Sequence, residues 1–331
     1  MRTIYNILSK ALLTISFAGI TNCDIKGDNS LFIPEDTTPA KAAHASSWKI
    51  DTISTGLRLH TFMGKDPVSG SMQIVNVLDV DLSAERYQVK FSYQAEGSIT
   101  SEIMKKYGAV GCMNATYEKE SCYIKVDNNV YETISSDVIP GTPVPQWKSE
   151  GAVYTDGEQN VSVSFTAKGM DLKETRAVYA KSASTNIFTS SPMLIDNYEI
   201  VGAYFVPEGY SEAQMLSLNY ENPIRHQGLR NPRSAVAITA DKHFLMIAVD
   251  GRREGVSEGM SAKELTIFLK DNFNPQYALN MDGGGSTTLC VKGRGEPGTY
   301  VVNYPTDNNV FDHLGERKVP THFYIIDTQT K

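Results

Sequence analysis

Basic runs are missing from this chain. Nowhere in its 331 residues do five Lys or Arg follow one another, and 31 basic against 38 acidic side chains leave a formal charge of -7. Duplex nucleic acid binds through a basic stripe, so nucleic acid is not expected as a partner. Long apolar runs are equally scarce: no stretch approaches the roughly 18 residues that a membrane-spanning helix needs. The four cysteines show no Cys-x-x-Cys spacing, the six histidines at 44, 60, 226, 243, 313 and 322 are scattered, and neither His-Glu-x-x-His nor a calcium-loop pattern occurs. The sequence therefore gives no reason to expect a metal or any other cofactor. A Gly-x-x-x-x-Gly-Lys phosphate loop is missing too. The Gly-x-Gly-x-x-Gly match at Gly293 to Gly298 contains Pro297 and runs into the extended "GTYVVNYP". A dinucleotide fingerprint needs a helix there, which excludes it.

What is present starts with a leader. Arg2 and Lys10 flank the apolar run Ala11 to Ile20, which ends in Ile20-Thr21-Asn22-Cys23. This resembles a bacterial lipoprotein signal over residues 1–23, with a lipid anchor at Cys23. A plain secretory peptide is the alternative reading, and both export the chain. The expected location is the cell envelope, in the periplasm or on the outer-membrane surface. Residues 24–47 are rich in Asp, Thr, Pro, Ala and Ser, too polar to order themselves, and read as a tether. In an oxidising compartment Cys112 and Cys122 either pair, closing a short loop at a gain of roughly 2–3 kcal/mol, or stay free.

Beyond the tether, "MQIVNVLDVDL" (72–82) alternates with Ile74, Asn76, Leu78, Val80 and Leu82 on one side, and "RYQVKFSY" (86–93) follows a short polar turn. The pattern predicts a hairpin within an N-terminal β region, 48–94. From 95 to 331 a main domain is expected. "SITSEIMKKYG" reads as a helix stopped by Gly108, and "AVGCMN" after it as a strand. Residues 120–200 read as short strands with little helix. "SAKELTIFLKDNF" reads as a helix, with Ser261 and Glu264 in capping-box register. Apolar strands flank it, and "VPTHFYIID" reads as the last. Strands and helices do not alternate regularly, so the fold class expected is α+β around a mostly antiparallel or mixed sheet.

Two strand ends share one chemistry. "FLMIAV" runs into Asp250-Gly251-Arg252, and "YALNM" into Asp282-Gly283-Gly284-Gly285-Ser286-Thr287. Taken alone, Asp-Gly is an ordinary turn; a carboxylate just past each of two buried strands points to a shared site. Three glycines admit positive φ and leave backbone N–H groups open to an anionic or polyhydroxyl ligand. Arg233 after Pro232, and Arg317 beside Glu316, add guanidiniums suited to phosphate oxygens.

The order "NPRSAVAIT…FLMIAVDGRREG…GMSAKELTIFL…YALNMDGGGSTTL…GERKVPTHFYII" resembles the phosphodiester glycosidase family, most specifically over residues 228–327. "MNATYE" and "SSPMLIDN" extend the resemblance, with Ala115, Thr116 and Ser191 where that family has glycines and Asn231 where it has histidine. The resemblance implies a hydrolase that separates a sugar's anomeric carbon from a phosphodiester oxygen, giving free sugar and a phosphomonoester, with a carbohydrate phosphodiester as its partner. It implies Asp282, Asp250 and Glu316 as catalytic acids. Asn114, Arg233, Arg252, Gly283, Gly284, Gly285, Ser286, Thr287 and Arg317 would hold substrate. The alternatives are a noncatalytic binder of phosphorylated or acidic envelope glycans, and a hydrolase cutting the phosphorus–oxygen bond or using a metal.

Overall fold

Apolar alternation in the sequence becomes strand pairing in the computed structural model, which describes residues 47–158, 160–204 and 206–329. The expected signal peptide, its Cys23 and all of the tether but Ser47 lie outside the described residues. Among the described residues every strand pair is antiparallel. The largest sheet has eight strands in the order Trp48–Ser54, Leu57–Lys65, Met72–Asp81, His243–Val249, Arg233–Ile238, Tyr277–Asn280, Met193–Asp196 and Glu199–Ile200. A five-stranded sheet is built from residues 123–190, and a four-stranded sheet joins Leu289–Val291, Gly111–Asn114, Val319–Asp327 and Tyr87–Ser98. The α+β class with mostly antiparallel sheets is thus what the chain adopts.

Among the described residues five α-helices cover these sheets: α1 (Thr100–Tyr107), α2 (Leu172–Ala180), α3 (Glu212–Ser217), α4 (Pro223–Gly228) and α5 (Ala262–Phe273). The period of two decides the layering. Val75 and Val77 face α5 and meet Leu265, Phe268 and Leu269. Leu78 and Val80 face the other way, against Phe91, Phe323 and Phe188 of the smaller sheets. α1 then lies on the far side of the four-stranded sheet over Cys112 and Cys290, and α2 on the far side of the five-stranded sheet through Tyr179. Burying each Leu, Val or Phe contributes roughly 1.5–3 kcal/mol, so these interfaces carry the fold.

Local signals behave as read for α1, which ends at left-handed Gly108, and for α5, whose Ser261 and Glu264 cap each other. The hairpin over 72–93 does not form. Met72–Asp81 already has Leu57–Lys65 on one edge and His243–Val249 on the other, so Tyr87–Ser98 passes into the four-stranded sheet and pairs with Val319–Asp327. The region 48–94 therefore feeds two sheets. Helix is sparse between 120 and 200 but includes α2, started by a capping box of Asp171 and Glu174. The Gly293–Gly298 segment forms turns and bends, and a turn, not a helix, follows Gly298.

Cys112, Cys122 and Cys290 are buried free thiols. Cys112 lies opposite Cys290 across a strand pair, and Cys122 belongs to a different cluster, so the short-loop disulfide is not made. In the eight-stranded sheet, buried Asp79 contacts His243 Nδ1 at 2.6 Å and His60 Nε2 at 3.3 Å. Burial acts to raise this carboxyl, and the two imidazoles outweigh it and hold it down at about 2.

Candidate active site

Three adjacent strands deliver the glycine loop and its neighbours to one edge. Arg233 opens its strand opposite Val249, and Ala235 pairs with Asn280, so Asp250–Arg252, Arg233 and Asp282–Ser286 emerge side by side. From the facing four-stranded sheet, the chain beyond Asn114 brings Thr116 to Glu118, and the approach to Val319 brings Arg317 and Lys318. Together they enclose a cavity of about 300 Å³ lined by Asp282, Gly283, Gly284, Gly285, Ser286, Arg233, Arg252 and Arg317.

The loop is fastened from both sheets. Asp282 N donates to Ala115 O at 2.9 Å, Asn114 Nδ2 donates to Asp282 O at 2.7 Å, and Gly284 N donates to Pro232 O at 2.8 Å. Each glycine has a steric reason. A Cβ at Gly283 would stand 2.7 Å from Pro232 O, and one at Gly285 would stand 2.5 Å from Arg317 Nη2. Gly284 takes φ +60°, with Arg252 Nη2 3.0 Å from where its Cβ would be. The glycines therefore let two guanidiniums lie on the loop itself. The amides of Gly284, Ser286 and Thr287 already donate to Pro232, Gly283 and Gly284 carbonyls, so the arginines, more than these amides, are the donors facing the cavity.

Arg233 is almost completely buried. Its Nε donates to Met260 O, Nη1 to Gln227 Oε1, and Nη2 to the carbonyls of His226 and Leu229, at 2.8–3.1 Å. It makes no ion pair with a carboxylate among the described residues, and burial lowers its affinity for the proton. A guanidinium never loses its charge in a protein, so Arg233 stands as a desolvated cation beside the cavity. Arg252 is exposed, held at φ 62°, and donates to Thr306 Oγ1 at 3.2 Å. Arg317 pairs with Asp307.

Asp282 is the carboxylate of the glycine loop, partly exposed on the cavity wall. Desolvation pushes its pKa up to about 6; the Ser286 hydroxyl, Lys148 and Arg317 act against this, and Glu118 adds to it. Asp250 and Glu316, the other two acids expected here, lie outside the lining. Asp250 is fully buried, accepts from Tyr304 N at 2.8 Å and Asn303 Nδ2 at 3.1 Å, and is pushed by burial to about 7. Glu316 accepts from Ser101 N at 2.9 Å and Ser101 Oγ at 2.5 Å, at the start of α1. It satisfies the donors a helix N-terminus leaves open. Asn114 and Thr287 are buried behind the loop, Asn114 also accepting from Ser234 Oγ and Thr288 N.

The cavity also contains residues that the sequence did not announce: Tyr117, Glu118, Lys148, Tyr220, Glu221 and His226. Lys148 is buried with Glu118 at 2.9 Å and Glu221 at 2.7 Å, its ammonium 4.7 Å from the Tyr117 ring centre. Burial alone would lower its pKa, and the two carboxylates hold it above the ordinary lysine range. His226 packs edge-on against Trp147, Tyr117 and Tyr220. Burial first, then Arg233 and Lys148, depress its pKa well below normal, so it is neutral at pH 7. Its proton can be placed. Gln227 must turn Oε1 toward Arg233, a pure donor, so its amide nitrogen faces His226 Nδ1 at 2.9 Å. Nδ1 accepts, and the ring carries its hydrogen on Nε2. The one legible signal for this element was Asn222-Pro223, a helix start with proline in the first turn.

Lysine and arginine contribute five cations to the lining, against the three carboxylates of Asp282, Glu118 and Glu221. A cavity of net positive charge in a chain of net charge -7 favours an anion.

A family model for phosphodiester glycosidases matches residues 120–326, more than half of the chain. The chain belongs to the phosphodiester glycosidase family. Among solved structures, the zebrafish N-acetylglucosamine-1-phosphodiester alpha-N-acetylglucosaminidase catalytic domain, auto-inhibited by its pro-peptide, is similar with a TM-score of 0.55 at 17% identity. The match covers 84% of this chain and 88% of that one. A hypothetical protein from Synechocystis is similar with a TM-score of 0.52 at 15% identity, over 86% of this chain and 64% of the other. No curated protein matches the sequence. Such identities speak for the fold; the chemistry within this phosphodiester glycosidase fold rests on the cavity's own side chains.

Proposed function

We propose that the protein hydrolyses sugar-1-phosphodiesters at the bond between the anomeric carbon and oxygen, releasing the sugar and a phosphomonoester. The carrying observation is Arg233, a desolvated cation with no carboxylate partner among the described residues, in a net positive cavity that also holds Asp282. A phosphate diester would supply the missing anion.

Glycosidic cleavage develops positive charge on the anomeric carbon, which calls for a carboxylate beside it. Asp282 fills that role as nucleophile or as base for water. The departing group is a phosphate monoester whose second pKa is about 6, so it leaves with little proton donation and needs cationic support instead. Arg252, Arg317 and Arg233 give that support. Neutral His226 offers Nε2–H as a further donor without adding charge. Family membership supports the reaction class.

Hydrolysis in ¹⁸O-labelled water tests the reading. Label in the released sugar is expected; label in the phosphate would assign the protein to phosphorus–oxygen cleavage. Asp282→Asn should fold normally and lose turnover, and an active variant would remove Asp282 from the mechanism. Binding of the diesters with no turnover by the native protein would favour the noncatalytic glycan binder.

A further inference from the structure

A second cavity lies over the outer strands of the eight-stranded sheet and shares no lining residue with the one around Asp282. Register lays out its floor: Lys49 stands opposite Thr61, and Thr61 opposite Asn76, a row across Trp48–Ser54, Leu57–Lys65 and Met72–Asp81. Arg294 and Gly295, with Tyr304 and His313, complete the walls around about 230 Å³. We propose that this cavity binds one ring of an uncharged glycan, as a carbohydrate site separate from the glycine loop.

Asn76 carries the inference. It is 2% exposed and lines the cavity, Thr61 Oγ1 donates to its Oδ1 at 3.1 Å, and its Nδ2 has no acceptor among the described residues. A buried donor without a partner is destabilising, and a ligand oxygen would satisfy it. His313 offers the converse. Its Nδ1 lies 2.5 Å from the Asn303 carbonyl oxygen, which only accepts, so Nδ1 carries the hydrogen and Nε2 of the neutral ring is an acceptor. Hydroxyl groups both accept and donate, so neighbouring hydroxyls of one sugar serve amide and imidazole together.

Charge and size narrow the ligand. Arg294 is taken up by Asp51, through Nε at 2.5 Å and Nη2 at 3.1 Å, which leaves the exposed Lys49 as the other cation of the lining. An anion is better served by the five cations around the glycine loop. Leu59, Ile74 and Val302 form a small apolar patch, enough for the apolar face of a sugar ring and too little for an acyl chain. At about 230 Å³ the cavity falls below the span of whole ligand pockets, roughly 300–1,000 Å³, so it holds one unit of a glycan that continues outside. The Gly293–Gly298 motif gains a purpose here: Gly295 takes φ +67° with no room for a Cβ against Val301 O, and that tight turn sets Arg294 beside Asp51.

The test is calorimetric titration of the whole protein with chitotriose, maltotriose and mannotriose, for the native chain and three variants. Asn76→Leu removes the amide, Thr61→Phe fills the cavity from a half-buried position, and Arg252→Ala alters the glycine-loop cavity instead. We expect at least one trisaccharide to bind the native protein at millimolar concentration. Binding should be about tenfold weaker in Asn76→Leu, the loss of one hydrogen bond, absent in Thr61→Phe, and unchanged in Arg252→Ala. A thermal melt of each variant tells folding from binding, and Thr61→Phe decides alone should Asn76→Leu fail to fold. No binding of any trisaccharide by the native protein, binding kept in Thr61→Phe, or equal weakening in Arg252→Ala would overturn the site. Turnover plays no part in these readings, so the proposed hydrolysis stands or falls separately.

Discussion

In the proposed reaction Asp282 needs its proton removed before it can act as nucleophile or base, and its desolvated setting places that event at about pH 6. We therefore expect kcat/KM to rise with pH through about 6 and then level off; a fall over the same range would make Asp282 the acid instead. Stability follows the opposite direction. Its folded pKa is raised above the ordinary 3.8, so the ionised group opposes folding above about pH 6, and this opposition disappears as pH falls toward 4. Asp282→Asn should then melt higher than the native protein at pH 8, by at most about 2 kcal/mol given its partial exposure, and no higher at pH 4. Paired melts at the two pH values check this. The residues easiest to read in the sequence were those at strand ends, because glycine and charge interrupt an apolar run there. Lys148, Glu118 and His226 could not be read the same way. They enter the cavity through tertiary contacts, from segments with no apolar period to mark them.

Glu316 shows how an element redefines a residue. In the sequence it stands next to Arg317 and looks like a member of the same site; in the fold Arg317 turns to the cavity and Glu316 to the first turn of α1. Burial raises its pKa, with Ser101 opposing, so a neutral amide should replace it tolerably. Glu316→Gln is expected to retain turnover and its pH profile. Glu316→Ala should lose about 1–3 kcal/mol of stability by leaving the Ser101 donors open, with kcat little changed. A loss of kcat in both variants, without loss of stability, would return Glu316 to the chemistry. At the same scale, α1 and α5 were legible because each carries its own stop or cap, Gly108 and the Ser261–Glu264 pair. α3 and α4, six residues each, were not read: they are too short to display an amphipathic stripe. The hairpin expected over 72–93 failed for a related reason. Local turn chemistry announces a reversal but says nothing of which strand edges are still open, and those are settled by Leu57–Lys65 on one side and by the distant strands His243–Val249 and Val319–Asp327.

Across the whole molecule, acid resistance should depend on Asp79. Its folded pKa lies at about 2, below the ordinary 3.8, so it contributes stability above about pH 4 and loses that contribution as pH falls toward 2. The depression corresponds to about 2–3 kcal/mol at 1.4 kcal/mol per unit. Asp79→Asn should therefore cost about that much at pH 7 and little at pH 2, as measured by denaturant melts at each pH. An equal cost at both would mean that shape, not charge, is what Asp79 supplies. Fold class was readable from irregular alternation, and the layering followed from which face of each strand was apolar. Sheet membership was not, because it is decided by competition among strands for a limited number of edges.

The glycine loop hangs between two sheets, with Asp282 N on Ala115, Asn114 on Asp282 O, and Gly284 on Pro232. The two anchors to Ala115 and Asn114 do not exist until the layers have closed on each other. Catalytic competence should accordingly be the last property to return on refolding, trailing the recovery of β-structure, and a fragment carrying only the motif-bearing C-terminal third should be inert however well its own strands assemble.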